Sequence, residues 1–412
     1  MPLLSGFVRA EITPKVPVRM GGYAARHTSS TGVHDPLFVR VLALRDGGRE
    51  WVLAVLDVVG LSRNDAGRLR HIVAQETGLR PQEITLFCTH THSGPQTLRS
   101  FASLMPSVEQ RYLEWLAEPV TGAVSLACSR LEPATVRWAR GKVEGVASDR
   151  RDPSRRAGGA LDVLLVGGTG LVCFACHPTV LGPNNRRLSA DLPGAALRYL
   201  EGELGAGCLF LQGAAGDLST RFTRRGRTCR EVRRLGERLG RVAAELAGRA
   251  REIPPCGLDA EESALELPRR RLPDPEATRR RISELQRSGG IKEDRVVQSV
   301  LEGALLEEAL ASDGAAVDSV CSVSAVRVGG AAFVTVGGEL FSHLGEKIRA
   351  RSPFSPTIVA GYANGYTGYL TGKAGYDPGS YESSSSPFEP EAGDLVVGEA
   401  LRLLRNLDGR RA

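Results

Sequence analysis

Ile84-Thr85-Leu86-Phe87-Cys88-Thr89-His90-Thr91-His92-Ser93-Gly94-Pro95 is an apolar run that stops at two histidines one residue apart. It reads as a buried strand that delivers polar side chains to its end. Side chains alternate faces along an extended chain, so the spacing predicts that His90 and His92 point the same way if the strand conformation lasts that far. Gly94-Pro95 then turns the chain. Two imidazoles would converge on one spot. An isolated His-x-His is also served by a plainer arrangement, with one imidazole solvated and the other capping a turn, so the remainder of the chain must decide.

Composition narrows the classes. The 412 residues are 42% hydrophobic and 24% charged, the balance of an ordinary globular protein that can bury a large core. The net charge of +6 is the difference between 53 basic and 47 acidic groups that are mostly interleaved, which gives no nucleic-acid footprint. The dense basic runs Arg269 to Arg271 and Arg279 to Arg281 read as solvated helix faces. No run of about eighteen apolar residues predicts a transmembrane segment, and Met1 to Gly6 lack the basic and apolar regions of an export signal. The eight cysteines sit mostly inside apolar runs, as reduced core cysteines do, and a cytoplasmic location is expected. Cys173-Phe174-Ala175-Cys176-His177 matches the short haem-attachment signature. Haem is not expected, because attachment takes place outside the cytoplasm and positions 173 and 176 of one strand face opposite ways.

Strands and helices alternate along the chain. A hairpin is predicted from Phe38 to Val55, a helix from Arg63 to Gly78 capped by Asn64 and Asp65, and another from Ser107 to Ser129. Strands follow near 134–139, 161–166, 171–176 and 209–212, with helices at 192–204 and 230–249. Beyond Pro254-Pro255 come a strand at 261–267, two charged helices within 273–312 separated by Ser288-Gly289-Gly290, strands at 319–328, 331–336 and 357–360, and helices at 341–350 and 395–407. The fold class is α/β, with mixed β-sheets flanked by helices. No composition break divides the chain, so a single domain over 1–412 with a helical excursion at 273–312 is expected.

Reactive side chains recur at the ends of the apolar strands. His90 and His92 end one, His177-Pro178-Thr179 another, and Gly216-Asp217-Leu218-Ser219 a third; Glu339 follows 333–336, and Tyr366 and Tyr369 follow 357–360. Sites in α/β folds are built outside the carboxyl ends of strands, so the recurrence argues for one assembled mouth. Histidine nitrogens plus a carboxylate are the donor set of a catalytic zinc that keeps a position open for water. Periodicity by itself leaves a metal site and unconnected polar strand ends both open.

Thr89-His90-Thr91-His92-Ser93-Gly94-Pro95, His177-Pro178-Thr179, Gly216-Asp217-Leu218-Ser219, Gly338-Glu339, Asn364-Gly365-Tyr366-Thr367-Gly368-Tyr369 and Tyr381-Glu382 resemble, in order and approximate spacing, the successive motifs of the neutral/alkaline non-lysosomal ceramidases. Glu11-Ile12-Thr13-Pro14, Met20-Gly21-Gly22-Tyr23 and Gly32-Val33-His34-Asp35-Pro36 are similar to that family's N-terminal segment. The likeness spans nearly the whole chain. It implies a ceramidase-like catalytic domain with its active site at strand ends and a Zn2+ held by His90, His177, Glu339 and a tyrosine, Tyr366 in preference to Tyr369. It further implies that His92 orients water or passes a proton to the leaving amine, that Tyr366 or Tyr369 stabilises the oxyanion, and that Ser219 and Arg150 contact substrate. The family tends to carry asparagine where Asp149 stands. Asp57 and Asp191 are candidates to orient the ligand imidazoles, or else strand-end and helix-cap carboxylates.

The implied reaction is zinc-dependent cleavage of an N-acyl bond, with a ceramide or ceramide-like lipid as the first substrate. The family's export signal and C-terminal β-domain are not evident in this chain. Hydrolysis or acyl transfer on another cytosolic N-acyl or ester metabolite is therefore the alternative expectation. A catalytically inactive binding protein on the same fold is the alternative of another class, and the oligomeric state is not legible.

Overall fold

The structure is a computed structural model that describes residues 2–24, 26–98, 107–155, 158–254, 257–287, 295–313 and 318–410. Three sheets form its frame. The first runs Ile84–Cys88, Arg49–Leu56, Phe38–Asp46, Leu4–Glu11, Glu132–Pro133; the second Cys208–Gln212, Thr169–Phe174, Ala160–Val166, Val136–Lys142, Arg251–Glu252; the third Leu258–Glu266, Val320–Val328, Ala331–Val336, Thr357–Ala360. Each is antiparallel except for one parallel pair at an edge: Arg49–Leu56 with Ile84–Cys88, Thr169–Phe174 with Cys208–Gln212, and Ala331–Val336 with Thr357–Ala360. Parallel strands end side by side. The segments that leave those carboxyl ends carry the strand-end residues singled out in the sequence.

Alternation along the strands explains how the sheets pack. In Arg49–Leu56, Trp51, Leu53 and Val55 enter a central core, whereas Val52, Ala54 and Leu56 enter an outer one. In the second sheet Leu171, Leu209 and Leu211 face the centre, and Val172, Phe174 and Phe210 face outward. In the third, Phe333 and Ile358 face the centre, and Ala332, Val334 and Val359 face outward. One face of every sheet thus meets the other two, and the opposite face is covered by helices. These are Arg63–Thr77 and Ala117–Ser129 on the first sheet, Asp191–Leu204 and Cys229–Ala247 on the second, and Ser342–Arg351 and Ala392–Gly409 on the third. Burial on both faces is why these strands read as continuous apolar runs.

Several local expectations change. The Arg63–Thr77 helix is capped by Ser62, whose hydroxyl accepts from the Asp65 N–H at 3.1 Å, and Asn64 and Asp65 lie inside the first turn. The helix expected over 107–129 is two, Gln110–Trp115 and Ala117–Ser129. Pro119 falls in the first turn of the second, where its missing N–H costs no bond. Arg269 to Arg271 lie in an extended segment, with Arg269 bridging to Phe388, and not on a helix.

The excursion is formed by Pro275–Arg287 and Arg295–Asp313, while Ser288-Gly289-Gly290 lies outside the described residues. Arg270 and Arg281 converge on Glu307 at 2.9 and 3.4 Å, and Arg270 also donates to the carbonyls of Ser384 and Ser386. These contacts fasten the helical pair to the third sheet's loops. Among the described residues no helix is long and apolar enough to cross a membrane. The seven described cysteines are free. Cys173 lies on the Thr169–Phe174 strand in the central core, and Cys176, past the end of that strand, lies in an outer one.

Candidate metal centre

The strand that carries the histidine pair ends at Cys88, and His90 adopts a left-handed conformation with φ 63°. The expected extended path to His92 is therefore not what brings the imidazoles together. A left-handed non-glycine residue is costly and persists only where its surroundings hold it. Here the His90 N–H donates to the Val58 carbonyl at 3.0 Å, and Nδ1 lies 2.6 Å from the Val59 carbonyl. His92 returns on the following turn with its Nε2 3.2 Å from His90 Nε2. Arg26 fixes that turn by donating to the His92 carbonyl at 2.9 Å, and the Tyr23 ring meets the His92 ring edge-on.

His177 arrives from the second sheet. Its Nδ1 lies 2.8 Å from the Ala215 carbonyl, and its backbone N–H donates to Leu218. A carbonyl can only accept, so Nδ1 carries the proton in both His90 and His177 when they are neutral. Their Nε2 lone pairs face inward.

Glu339 comes from the third sheet and meets both. Its Oε2 lies 2.8 Å from His177 Nε2, its Oε1 3.7 Å from His90 Nε2, and both rings and the carboxylate are buried. Tyr366 donates to Oε1 and Tyr362 to Oε2, the latter at 3.3 Å. The nitrogen donors of His90, His92 and His177 all lie within 4.8 Å of one another.

Burial pushes His90 down to about 4, helped by the neighbouring His177 charge and opposed by Glu339. Burial likewise puts His92 well below the ordinary imidazole value. Glu339 is disfavoured as an anion by burial, yet His90, His177 and Arg150 hold it well below the usual carboxylate range. Burial and the Glu339 charge raise the phenols of Tyr362 and Tyr366 far above ordinary tyrosine, so both remain neutral donors.

This donor set fits a cation. His177 Nε2 is buried and faces a carboxylate oxygen at contact distance without hydrogen-bonding alignment. With His90 neutral, an ionised carboxylate confronts an inward lone pair, an arrangement that a metal ion relieves. Imidazole nitrogens, a carboxylate and a phenol are suitable zinc ligands by type, and three imidazoles would serve as well.

The remaining sequence candidates lie around the same point. Tyr366 bonds Glu339 directly, whereas the Tyr369 ring lies parallel to His177 at 6.4 Å and packs against Arg150. Arg150 is buried between the rings of Tyr369 and Tyr381, and its Nε donates to Glu382 at 2.5 Å. Ser219 is buried, bridges to His177 and lines the adjoining pocket. Asp149 faces away into its own turn, accepting from the Arg151 N–H at 2.8 Å.

Asp57 and Asp191 do not touch an imidazole. Asp57 pairs with Arg40 at 2.9 Å and accepts from Thr89 and the Phe38 N–H, and Asp191 accepts from the Val180, Leu181 and Leu192 N–H groups. Backbone carbonyls orient the rings instead. Sequence reasoning also missed Tyr362, whose ring stacks on His90 at 4.1 Å, although it lies just past Gly361 at the end of the 357–360 strand. Tyr23 entered only as part of the Met20-to-Tyr23 motif, without a role, and Arg26 gave no signal, because their contacts with His92 join distant parts of the chain.

Fold and site together define an α/β protein with three sheets whose parallel edges deliver a histidine–carboxylate cluster that could bind a metal. No protein-family model matches the sequence. Among solved structures the chain is similar to the neutral ceramidase from Pseudomonas aeruginosa, with a TM-score of 0.81 and 20% identity over 100% of this chain and 75% of that one. It is also similar to a ceramidase complexed with C2, with a TM-score of 0.82 and 19% identity over 100% of this chain and 76% of the other. The chain has a neutral ceramidase-like fold.

Proposed function

We propose that the protein is a zinc-dependent amidohydrolase that cleaves an N-acyl bond. The observation that carries this reading is the meeting of Glu339 with the inward Nε2 atoms of His90 and His177, on a fold shared with ceramidases. His90, His177, Glu339 and Tyr366 are the proposed ligands. Zinc bound there would polarise an amide carbonyl and lower the pKa of water towards about 7.

The chain's own residues would perform the rest. His92, neutral and adjacent to His90, would accept a proton from the attacking water and return it to the departing amine, which leaves poorly until protonated. Tyr369, or Tyr366 if its phenol does not ligate zinc, would donate to the oxygen that gains charge in the transition state. Arg150 and Ser219 face the pocket beside the cluster and would position the substrate.

A ceramide-like N-acyl lipid is the first candidate on the strength of the fold. A small soluble N-acyl or ester metabolite is the second reading, and the arginines that border the pocket favour it. Incubation with N-acyl sphingoid bases, N-acyl amino acids and simple esters, with and without a chelator, tests the reaction by mass spectrometry of the released acid. Chelator-sensitive release from an amide supports the proposal. No release from any amide by zinc-loaded protein would sink it in favour of a binding protein.

A further inference from the structure

The pocket beside the cluster has a lining that its position in the fold does not require. It holds a cavity of about 100 Å³, and four guanidinium groups, Arg150, Arg221, Arg224 and Arg227, border it against one carboxylate, Glu302. No Leu, Ile, Val, Met, Phe or Trp is among the described residues that line it. The pocket's apolar surface comes from Tyr23, Tyr369, Tyr381 and Pro183, and beside it an acid group finds guanidinium donors.

Two of these arginines have structural tasks. Arg221 donates to the Arg150 carbonyl at 2.9 Å and to the Ser299 hydroxyl at 2.6 Å, tying the Arg295–Asp313 helix over the pocket. Arg224 donates to the Thr179 carbonyl at 2.5 Å. Arg150 differs, because its Nη2 is buried without a partner while its Nε is held by Glu382. A buried, unmet guanidinium donor is expensive unless a ligand completes it. Arg227 is exposed at the rim, and its stem crosses the bare backbone of Gly182, where an added Cβ would lie 2.4 Å from Arg227 Cδ.

We propose that this pocket binds an acid group, carboxylate or phosphate, on the substrate, with Arg227 as the rim contact and Arg150 Nη2 as the inner one. The proposal rests on the N-acyl reading for where the scissile bond lies. It makes the preferred substrate an anionic N-acyl compound, since a guanidinium fork matches the oxygens of either acid.

Binding of uncleavable sulfonamide analogues tests this apart from turnover. N-(hexylsulfonyl)glycine, N-(hexylsulfonyl)ethanolamine O-phosphate and the neutral N-(hexylsulfonyl)ethanolamine would be titrated calorimetrically into the full chain. At least one acid is expected to bind about tenfold or more tightly than the alcohol, and the tighter acid identifies the group. Arg227→Gln, a change at an exposed position, should bring that ratio towards unity. An alcohol that binds as well as both acids, no binding by any of the three, or a preference undiminished in Arg227→Gln would overturn the proposal. Preference for an acid with no hydrolysis of any amide would leave the acid site standing and remove only the reaction; hydrolysis without that preference would do the reverse.

Discussion

His177 Nε2 and Glu339 Oε2 lie 2.8 Å apart although they reach the centre from different sheets. The Nδ1 proton of His177 is committed to the Ala215 carbonyl, so the nitrogen facing the carboxylate carries a lone pair unless the ring is charged. Two electron-rich atoms at this distance need a cation or a proton to share. Protein as purified is expected to hold about one zinc per chain by elemental analysis. His177→Ala and His90→Ala should lower that content. Protein that takes up no metal, even after incubation with zinc, would remove the basis of the proposed chemistry.

His92 separates two arrangements of the same cluster. If it moves protons, His92→Ala keeps its zinc and loses turnover by about 10²- to 10⁴-fold. Loss of zinc in this variant would make His92 a ligand and leave the proton transfer to another group. Metal content and kcat measured on one preparation decide between them.

Gly22 has φ 93°, and a Cβ there would lie 2.4 Å from the His92 ring. Gly22→Ala should therefore displace His92 as well as strain the backbone, at a cost of about 1–3 kcal/mol in stability. The informative comparison is with Gly47→Ala, which also has a positive φ but no atom within 4 Å of the added carbon. Both should lower Tm, and only Gly22→Ala should lower kcat. Equal activity in the two variants would show that His92 tolerates the displacement.

Asp57 supports the centre from a distance. Its carboxylate holds the buried Arg40 and the Thr89 hydroxyl, and removing it leaves a buried guanidinium without its close partner. Asp57→Ala should destabilise by about 3–5 kcal/mol. Zinc content per folded molecule should stay unchanged, because the imidazoles lean on carbonyls. Denaturant titration and elemental analysis of the folded fraction together check this.

Asp191 gives a pH dependence. Burial raises its carboxyl to about 6 from an ordinary value of 3.8, against three backbone N–H donors that favour the anion. Between those two values the folded chain binds the proton that the unfolded chain has released. This group's contribution is therefore fully present below about 3.8 and lost as pH rises through about 6, by about 3 kcal/mol in all. Asp191→Asn should flatten that fall in a comparison of denaturant midpoints from pH 4 to 7. Parallel curves for the two proteins would show that the carboxyl is not raised.

The sequence alone determined the α/β class, most of the long strands and helices, and the ceramidase-like motif order, but not the two-residue strands. It could do so because strands buried on both faces read as short apolar runs, and because reactive side chains collect where such runs stop. The motif resemblance, and not periodicity, implied that His90, His177, Glu339 and Tyr366 share one site. Only the tertiary structure decided how they meet. His90 turns left-handed because the Val58 and Val59 carbonyls hold it, contacts between segments that no local pattern encodes. Asp57 and Asp191 looked like partners for imidazoles until their own donors were visible. Tyr362 and the pocket arginines other than Arg150 escaped notice for the same reason: a side chain's role depends on what faces it, and those partners come from other sheets and from the Arg295–Asp313 helix.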